Sequence, residues 1–330
     1  MNFSCRFLLV VLCLFTLPAF AQDYSHNNRL APVAPLKLEQ AYLIEADFDT
    51  QPSGLALCQD KLLLVSDKVD HRIFEVNAQL DGTAGLSPFI KLAAIPGKKP
   101  PYPMNQQSKL ARLRQLIPGA RYDYEGIDCD EDYFYLASET MIDVLRVDKS
   151  GQSMWLNTNS YQAGRKHGLY SQPNAYLEAV ARMPSGELII GAERQARGLI
   201  TLINTGSKWL KEVNTQLATP IKPAAEYRLP DLTGLAIYND YLYTLERNAH
   251  LVCQRTLITY RSVNCWSYAH VENASDIRYQ DDKYGLAEGL AISDEYIYIV
   301  LDNNGDARWL DEDDRRATLL VFKTPSDIKP

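Results

Sequence analysis

Five segments of the chain repeat one pattern, and that repeat restricts the fold more than any other feature. Each copy opens on a small or acidic residue, then Gly or Ala and an apolar pair; it turns and continues as an apolar strand ending in a carboxylate. The copies begin at Ser53-Gly54-Leu55-Ala56, Glu125-Gly126-Ile127, Glu178-Ala179-Val180, Thr233-Gly234-Leu235-Ala236 and Glu288-Gly289-Leu290-Ala291. Their second strands end at Asp67, Glu139, Glu193, Glu246 and Asp302. The Gly/Ala position recurs at 54, 126, 179, 234 and 289, so the steps are 72, 53, 55 and 55 residues. Repeats of roughly 40 to 50 residues made of short strands are the blades of a β-propeller, not the turns of a helical solenoid. The reading is an all-β propeller of five blades, with six as the alternative if part of residues 77–121 makes a degenerate blade. No segment with helical periodicity is longer than residues 107–116. The fifth copy runs out after its third strand, and a spare strand, residues 38–46, precedes the first copy; pairing the two closes the ring and hides its open edge.

The N-terminus reads as an export signal: Arg6, an apolar run over residues 7–15, and Ala19-Phe20-Ala21 as a cleavage site. The expected organisation is a signal peptide over 1–21, an N-terminal extension over 22–36 and one propeller domain over 37–330. The mature protein is then periplasmic or extracellular, without stable membrane insertion. Cys58, Cys129, Cys253 and Cys265 remain after cleavage, an even number for an oxidising compartment. A Cys253–Cys265 bridge across a hairpin would leave Cys58 with Cys129, although the sequence allows three connectivities. No CxxC spacing points to a metal. A net charge of −7 argues against a nucleic-acid partner, which needs clustered positive charge.

Each repeat holds two polar positions 13 to 15 residues apart, 53/67, 125/139, 178/193, 233/246 and 288/302. That gap spans one hairpin, so both positions meet on one face around the central channel. An inner ring gathers Glu125, Glu178 and Glu288 with Ser53 and Thr233; an outer ring holds Asp67, Glu139, Glu193, Glu246 and Asp302. Carboxylates this close repel strongly in a partly desolvated channel. Lys68, Arg194 and Arg247, each directly after a ring carboxylate, relieve part of the repulsion. A hard divalent cation, with Ca²⁺ favoured and Glu125, Glu178 and Glu288 as ligands, would relieve the rest. Two long loops over the same face are basic and free of acids. Residues 95–121 carry Lys98, Lys99, Lys109, Arg112, Arg114 and Arg121, and residues 156–175 carry Arg165, Lys166 and His167. They suit an anionic small-molecule ligand. Asp302-Asn303-Asn304-Gly305-Asp306 lacks the glycine of an EF-hand, Ala307 standing in its place, and reads as a turn-rich connection.

Ser53-Gly54-Leu55, Asp123-Tyr124-Glu125-Gly126-Ile127, Glu193-Arg194, Glu246-Arg247 and Ala287-Glu288-Gly289-Leu290 resemble the phytase-like (esterase-like activity of phytase) and SdiA-regulated propeller families. The resemblance covers residues 40–323 and implies an exported bacterial propeller with calcium binding and phosphoesterase or esterase activity. It makes Glu125, Glu178 and Glu288 metal or general-base candidates and places Glu193, Arg194, Glu246 and Arg247 on the substrate side. Ser53 and Thr233 depart from the acidic pattern in two repeats, and the Asp-rich segments of alkaline propeller phytases are missing. Three functions compete: a calcium-dependent phosphoesterase on an anionic small molecule, a non-catalytic ligand- or protein-binding propeller, and a lactone or carboxyl-ester hydrolase.

Overall fold

The computed structural model describes residues 33–102, 122–194, 196–218, 229–280 and 285–328, all within one compact unit, Ala31–Pro330. The signal peptide, the helical stretch at 107–116 and Lys109, Arg112, Arg114 and Arg121 lie outside the described residues. The strands in chain order are β1 (Val33–Pro35), β2 (Lys37–Glu45), β3 (Pro52–Cys58), β4 (Lys61–Ser66), β5 (Arg72–Ala78), β6 (Thr83–Lys91) and β7 (Tyr124–Cys129). They continue as β8 (Tyr133–Ser138), β9 (Asp143–Asp148), β10 (Ser153–Trp155), β11 (Leu177–Arg182), β12 (Leu188–Ala192), β13 (Gly198–Asn204) and β14 (Trp209–Asn214). The last are β15 (Gly234–Tyr238), β16 (Tyr241–Glu246), β17 (Leu251–Thr256), β18 (Ser262–Ser267), β19 (Ala287–Ile292), β20 (Tyr296–Leu301) and β21 (Thr318–Lys323). Among the described residues two short α-helices interrupt the strands, α1 (Ser160–Lys166) and α2 (Ala269–Glu272).

Each sequence repeat becomes an antiparallel meander: β3 to β6, β7 to β10, β11 to β14, β15 to β18, and β19 to β21. Alternating small and branched residues favour these strands, and turns such as Asn239-Asp240, both at positive φ, join them. The spare strand of the sequence is β2, which pairs antiparallel with β21, Leu38 opposite Phe322 and Leu43 opposite Thr318. β2 also meets β6 in a short parallel register, Leu43 to Glu45 against Thr83 to Gly85. The segment assigned to the N-terminal extension supplies β1, which adds in parallel to β18. The basic loop over 156–175 contains α1, a helix that period-reading missed because it is only two turns long.

The core lies between neighbouring meanders. Leu63, Val65 and Ile73 of the first interdigitate with Ile127, Phe134 and Leu136 of the second, and Leu55, Leu64 and Phe74 with Val300 and Leu319 of the last. The first strand of each meander packs on that of the next: β3 on β7, β7 on β11, β11 on β15, β15 on β19, and β19 on β3. The repeated glycine is what allows this approach. A Cβ at Gly54 would stand 2.7 Å from the Gly126 Cα, and one at Gly289 2.6 Å from the Ser53 carbonyl oxygen. Backbone cannot yield as a side-chain tip can, so Gly289→Ala is expected to lower stability by about 1–3 kcal/mol. An unchanged urea midpoint would refute the close packing.

Candidate functional site

The inner-ring residues owe their direction to a backbone irregularity. In four of the five meanders the register between the first and second strands slips once, between Pro52 and Leu55, Tyr124 and Gly126, Leu177 and Ala179, and Ala287 and Gly289. Each slip is a β-bulge, and a bulge re-aims the extra residue. Glu125, Glu178 and Glu288 are single bulged residues, and Ser53 lies in the fourth slip. In the remaining meander, Thr233 precedes β15, and its hydroxyl donates to the Ala287 carbonyl at 2.8 Å. The outer ring is tied to the inner by a recurring backbone bond. The amide N–H groups of Asp67, Glu139, Glu193 and Asp302 donate to the carbonyls of Gln51, Asp123, Tyr176 and Leu286, two residues before each inner position. Among the strands below, the space lined by Glu125, Thr233, Glu288 and the repeat glycines is about 10 Å³. That is room for roughly one water.

The two halves of the ring differ in charge compensation. On one side Arg247, itself buried, is a hub. Its Nε donates to Asp231 at 2.9 Å, Nη2 to Glu193 at 2.5 Å, and Nη1 to Glu288. Burial opposes the Arg247 charge, but Glu288, Asp231 and Glu178 more than offset it and hold its pKa above the ordinary value. Glu193 also pairs with Arg194, whose guanidinium is partly exposed and donates to the Asn174 carbonyl at 3.0 Å. Glu246 is seated between Arg197, at 2.9 Å, and Arg255. It is fully enclosed, as is Arg255, which also bonds the Tyr260 and Ala218 carbonyls.

On the other side three carboxylates come together. Ligand oxygens of Asp67, Asp123 and Glu125 lie within 4.8 Å of one another. Lys68 reaches Asp67 at 2.8 Å. Burial, reinforced by Glu178, Asp123 and Asp67, drives the Glu125 carboxyl well above the usual range. Asp302 is pushed up to about 7 by burial and then by Asp67. Glu178 stands at the boundary: burial carries it to about 7, against the pull of Arg247 and Arg194. Three hard oxygen donors this close together fit a hard divalent cation, whose remaining positions solvent or carbonyl oxygens can fill.

The structure thus joins Glu125 to Asp67 and Asp123, and places Glu288 on Arg247 with Glu178 between the two groups. Asp231, Arg197 and Arg255 were not singled out by the sequence, and Asp123 entered only as part of the Asp123-Tyr124-Glu125-Gly126-Ile127 motif, not as a ligand. For the aspartates a signal existed, since both stand two residues before an inner position, in Asp123-Tyr124-Glu125 and Asp231-Leu232-Thr233. Of the basic loops, Lys98 is spent on the buried Asp143 at 2.5 Å and on Asn157 at 2.9 Å, whereas Lys99 is exposed. Arg165 bonds the Tyr170 carbonyl at 3.0 Å. Asp302 Oδ1 accepts the Asn304 N–H at 3.0 Å and Gly305 has φ +77°, so the acidic run at 302–306 forms a turn. Disulfides join Cys58 to Cys129 and Cys253 to Cys265. Among the described residues no helix is long and apolar enough to cross a membrane.

The family model described as Phytase-like: Esterase-like activity of phytase matches residues 51–321. Glutaminyl cyclase from Myxococcus xanthus is similar in structure, with a TM-score of 0.50 and 10% identity over 88% of this chain and 100% of that one. The PQQ-bound aldose sugar dehydrogenase from Streptomyces coelicolor gives 0.44 and 13%, covering 88% and 99%. At such identities the first likeness speaks for the fold alone. No curated protein matches the chain significantly.

Proposed function

The chain belongs to the phytase-like (esterase-like activity of phytase) family, and from that premise we propose that it is an exported, metal-dependent ester hydrolase acting on an anionic small molecule. The observation that carries this reading is the convergence of Asp67, Asp123 and Glu125, whose ligand oxygens lie within 4.8 Å of one another. In this reading the meanders are five blades, closed into a ring by β2; the cyclic packing of β3, β7, β11, β15 and β19 supports it. Export is supported by the two disulfides.

Asp67, Asp123 and Glu125 would hold the cation, with Ca²⁺ as the favoured ion, and an ion bound there would supply Lewis acidity toward the ester. Lys68 and the exposed edge of Arg194 hold the anionic group. Glu178, titrating near neutrality, takes the proton of the attacking water and returns it to the departing alcohol oxygen. Arg247 and Arg194 draw on Glu178 from the other side; Arg247 is itself held by Asp231, Glu193 and Glu288, and Glu246 with Arg197 and Arg255 supports that wall.

The test is turnover of a panel of phosphate esters, carboxyl esters and lactones with Ca²⁺ or with chelator. Chelation and Glu125→Gln are each expected to abolish turnover, and Glu178→Gln to lower kcat on the order of a hundredfold. Turnover unchanged by chelator and by Glu125→Gln would overturn the proposal. Saturable binding without turnover would instead leave a binding propeller.

A further inference from the structure

Beside the ring lies a recess of about 730 Å³, between the loop leading into β3 and the loop joining β20 to β21. That volume suits a small organic ligand. Gln51 links the recess to the ring. Asp49 lines the recess and accepts from Gln51 Nε2 at 2.8 Å, and the Gln51 carbonyl in turn receives the Asp67 N–H at 3.4 Å. Asp302 lies in the field of both Asp67 and Asp49.

Its walls are preformed. Asn303 Nδ2 bonds the carbonyls of Asp306 at 2.6 Å and Arg315 at 2.8 Å, which ties the two arms of the loop together. The Arg316 guanidinium grips Asp314 through Nε and Nη2 at 2.9 and 3.0 Å, and reaches Glu45 at 3.2 Å. One side of the recess is apolar, lined by Ile44, Phe48 and Ala317, with Phe48 held against Phe74 at 5.4 Å between ring centroids. The other side is acidic. Arg316 is neutralised by its own partners, which leaves Arg315 facing Asp49, Asp311 and Asp313; among the described residues none of these three aspartates is in an ion pair. An apolar wall opposite an excess of carboxylates accepts an alkyl chain bearing a cation and repels a second anion.

We propose that this recess seats the organic part of the substrate, and that this part is an alkyl group carrying an ammonium. The inference rests on the hydrolase reading of the adjacent ring, and it makes the substrate an ester of an amino alcohol rather than a polyphosphorylated ring.

Two measurements on the full mature chain test it separately from that reading. The first is binding of n-butylammonium alone, followed by ligand-observed NMR, in the wild type and in the double variant Asp311→Asn/Asp313→Asn. Binding to the wild type, weakened about fivefold in the variant, is expected. No binding, or equal binding in both proteins, would overturn the proposal. The second compares kcat/KM for 4-aminobutyl phosphate and n-pentyl phosphate, chains of equal length, with phytate alongside. A preference of about fivefold for the amino ester, reduced to near unity in the double variant, is expected, with phytate the poorest. Equal kcat/KM for the two monoesters would overturn the assignment and leave the hydrolase standing. Butylammonium binding as expected with no ester turned over would keep the recess assignment and discard the hydrolase.

Discussion

Replacing Arg247 with Met is expected to destabilise the protein by about 3–5 kcal/mol, because it strands Asp231, Glu193 and Glu288 in a buried site without their common partner. The side chain reads as a catalytic candidate in the sequence, yet each of its three nitrogens is committed to a carboxylate. Its loss therefore appears in the denaturation midpoint whether or not turnover is measured. Lys is not an adequate substitute, since one ammonium cannot span three acceptors arranged around a planar fork. The defect has a defined pH dependence. Burial already makes the Glu288 carboxyl hard to ionise, and without Arg247 it is harder still. Its unfavourable contribution is full at neutral pH and fades as pH falls and it becomes protonated. Urea unfolding of Arg247→Met at pH 7.5 and 5 measures this. A midpoint equal to wild type at both values would contradict the hub.

The second large effect is expected from removing the Cys58–Cys129 disulfide. The two cysteines end the first strands of neighbouring meanders and are 71 residues apart in sequence, whereas Cys253 and Cys265 are 12 apart and directly opposed on β17 and β18. A cross-link restricts the unfolded chain more when it closes a longer loop. The chain-entropy model gives about 4 kcal/mol for the first bridge and about 3 kcal/mol for the second. Cys58→Ala/Cys129→Ala is thus expected to lose more stability than Cys253→Ala/Cys265→Ala, as read from thermal or urea unfolding of the two double variants. The reverse order would mean that native-state packing, not loop closure, governs these bridges.

The repeat made the strands, their order within each meander and the polar positions legible, because strand period and turn residues are local properties. The pairing of β2 with β21 was also legible, from an arithmetic shortage of one strand. The bulges were not. Whether Glu125 adds a residue to β7 depends on which residues face each other across the hairpin, and the alternation of side chains is the same up to that point. The bulge is what turns Glu125 toward Asp67 of the first meander and Asp123 of its own. Arg247 was legible as a cation beside a carboxylate but not as a hub, since Asp231, Glu193 and Glu288 come from three repeats. Arg197 and Arg255 look like ordinary strand and loop cations until the fold wraps both around Glu246.

The cation site has its own pH signature. In the absence of metal, burial and neighbouring carboxylates hold a proton on Glu125 well above the usual carboxylate range, and Asp302 and Glu178 titrate at about 7. These are acids whose folded pKa exceeds the unfolded one, so the metal-free fold loses stability as pH rises from about 4.5 through 7. A cation competes with the same protons, so its affinity rises over that interval.

Isothermal titration of the mature, metal-free protein with Ca²⁺ tests the central claim most directly, because it needs no substrate. One binding event is expected at pH 7.5, weaker at pH 5.5, abolished by Asp123→Asn and by Glu125→Gln and retained in Glu288→Gln. Absence of binding at either pH, or binding that survives Asp123→Asn and Glu125→Gln, would contradict a metal centre at Asp67, Asp123 and Glu125.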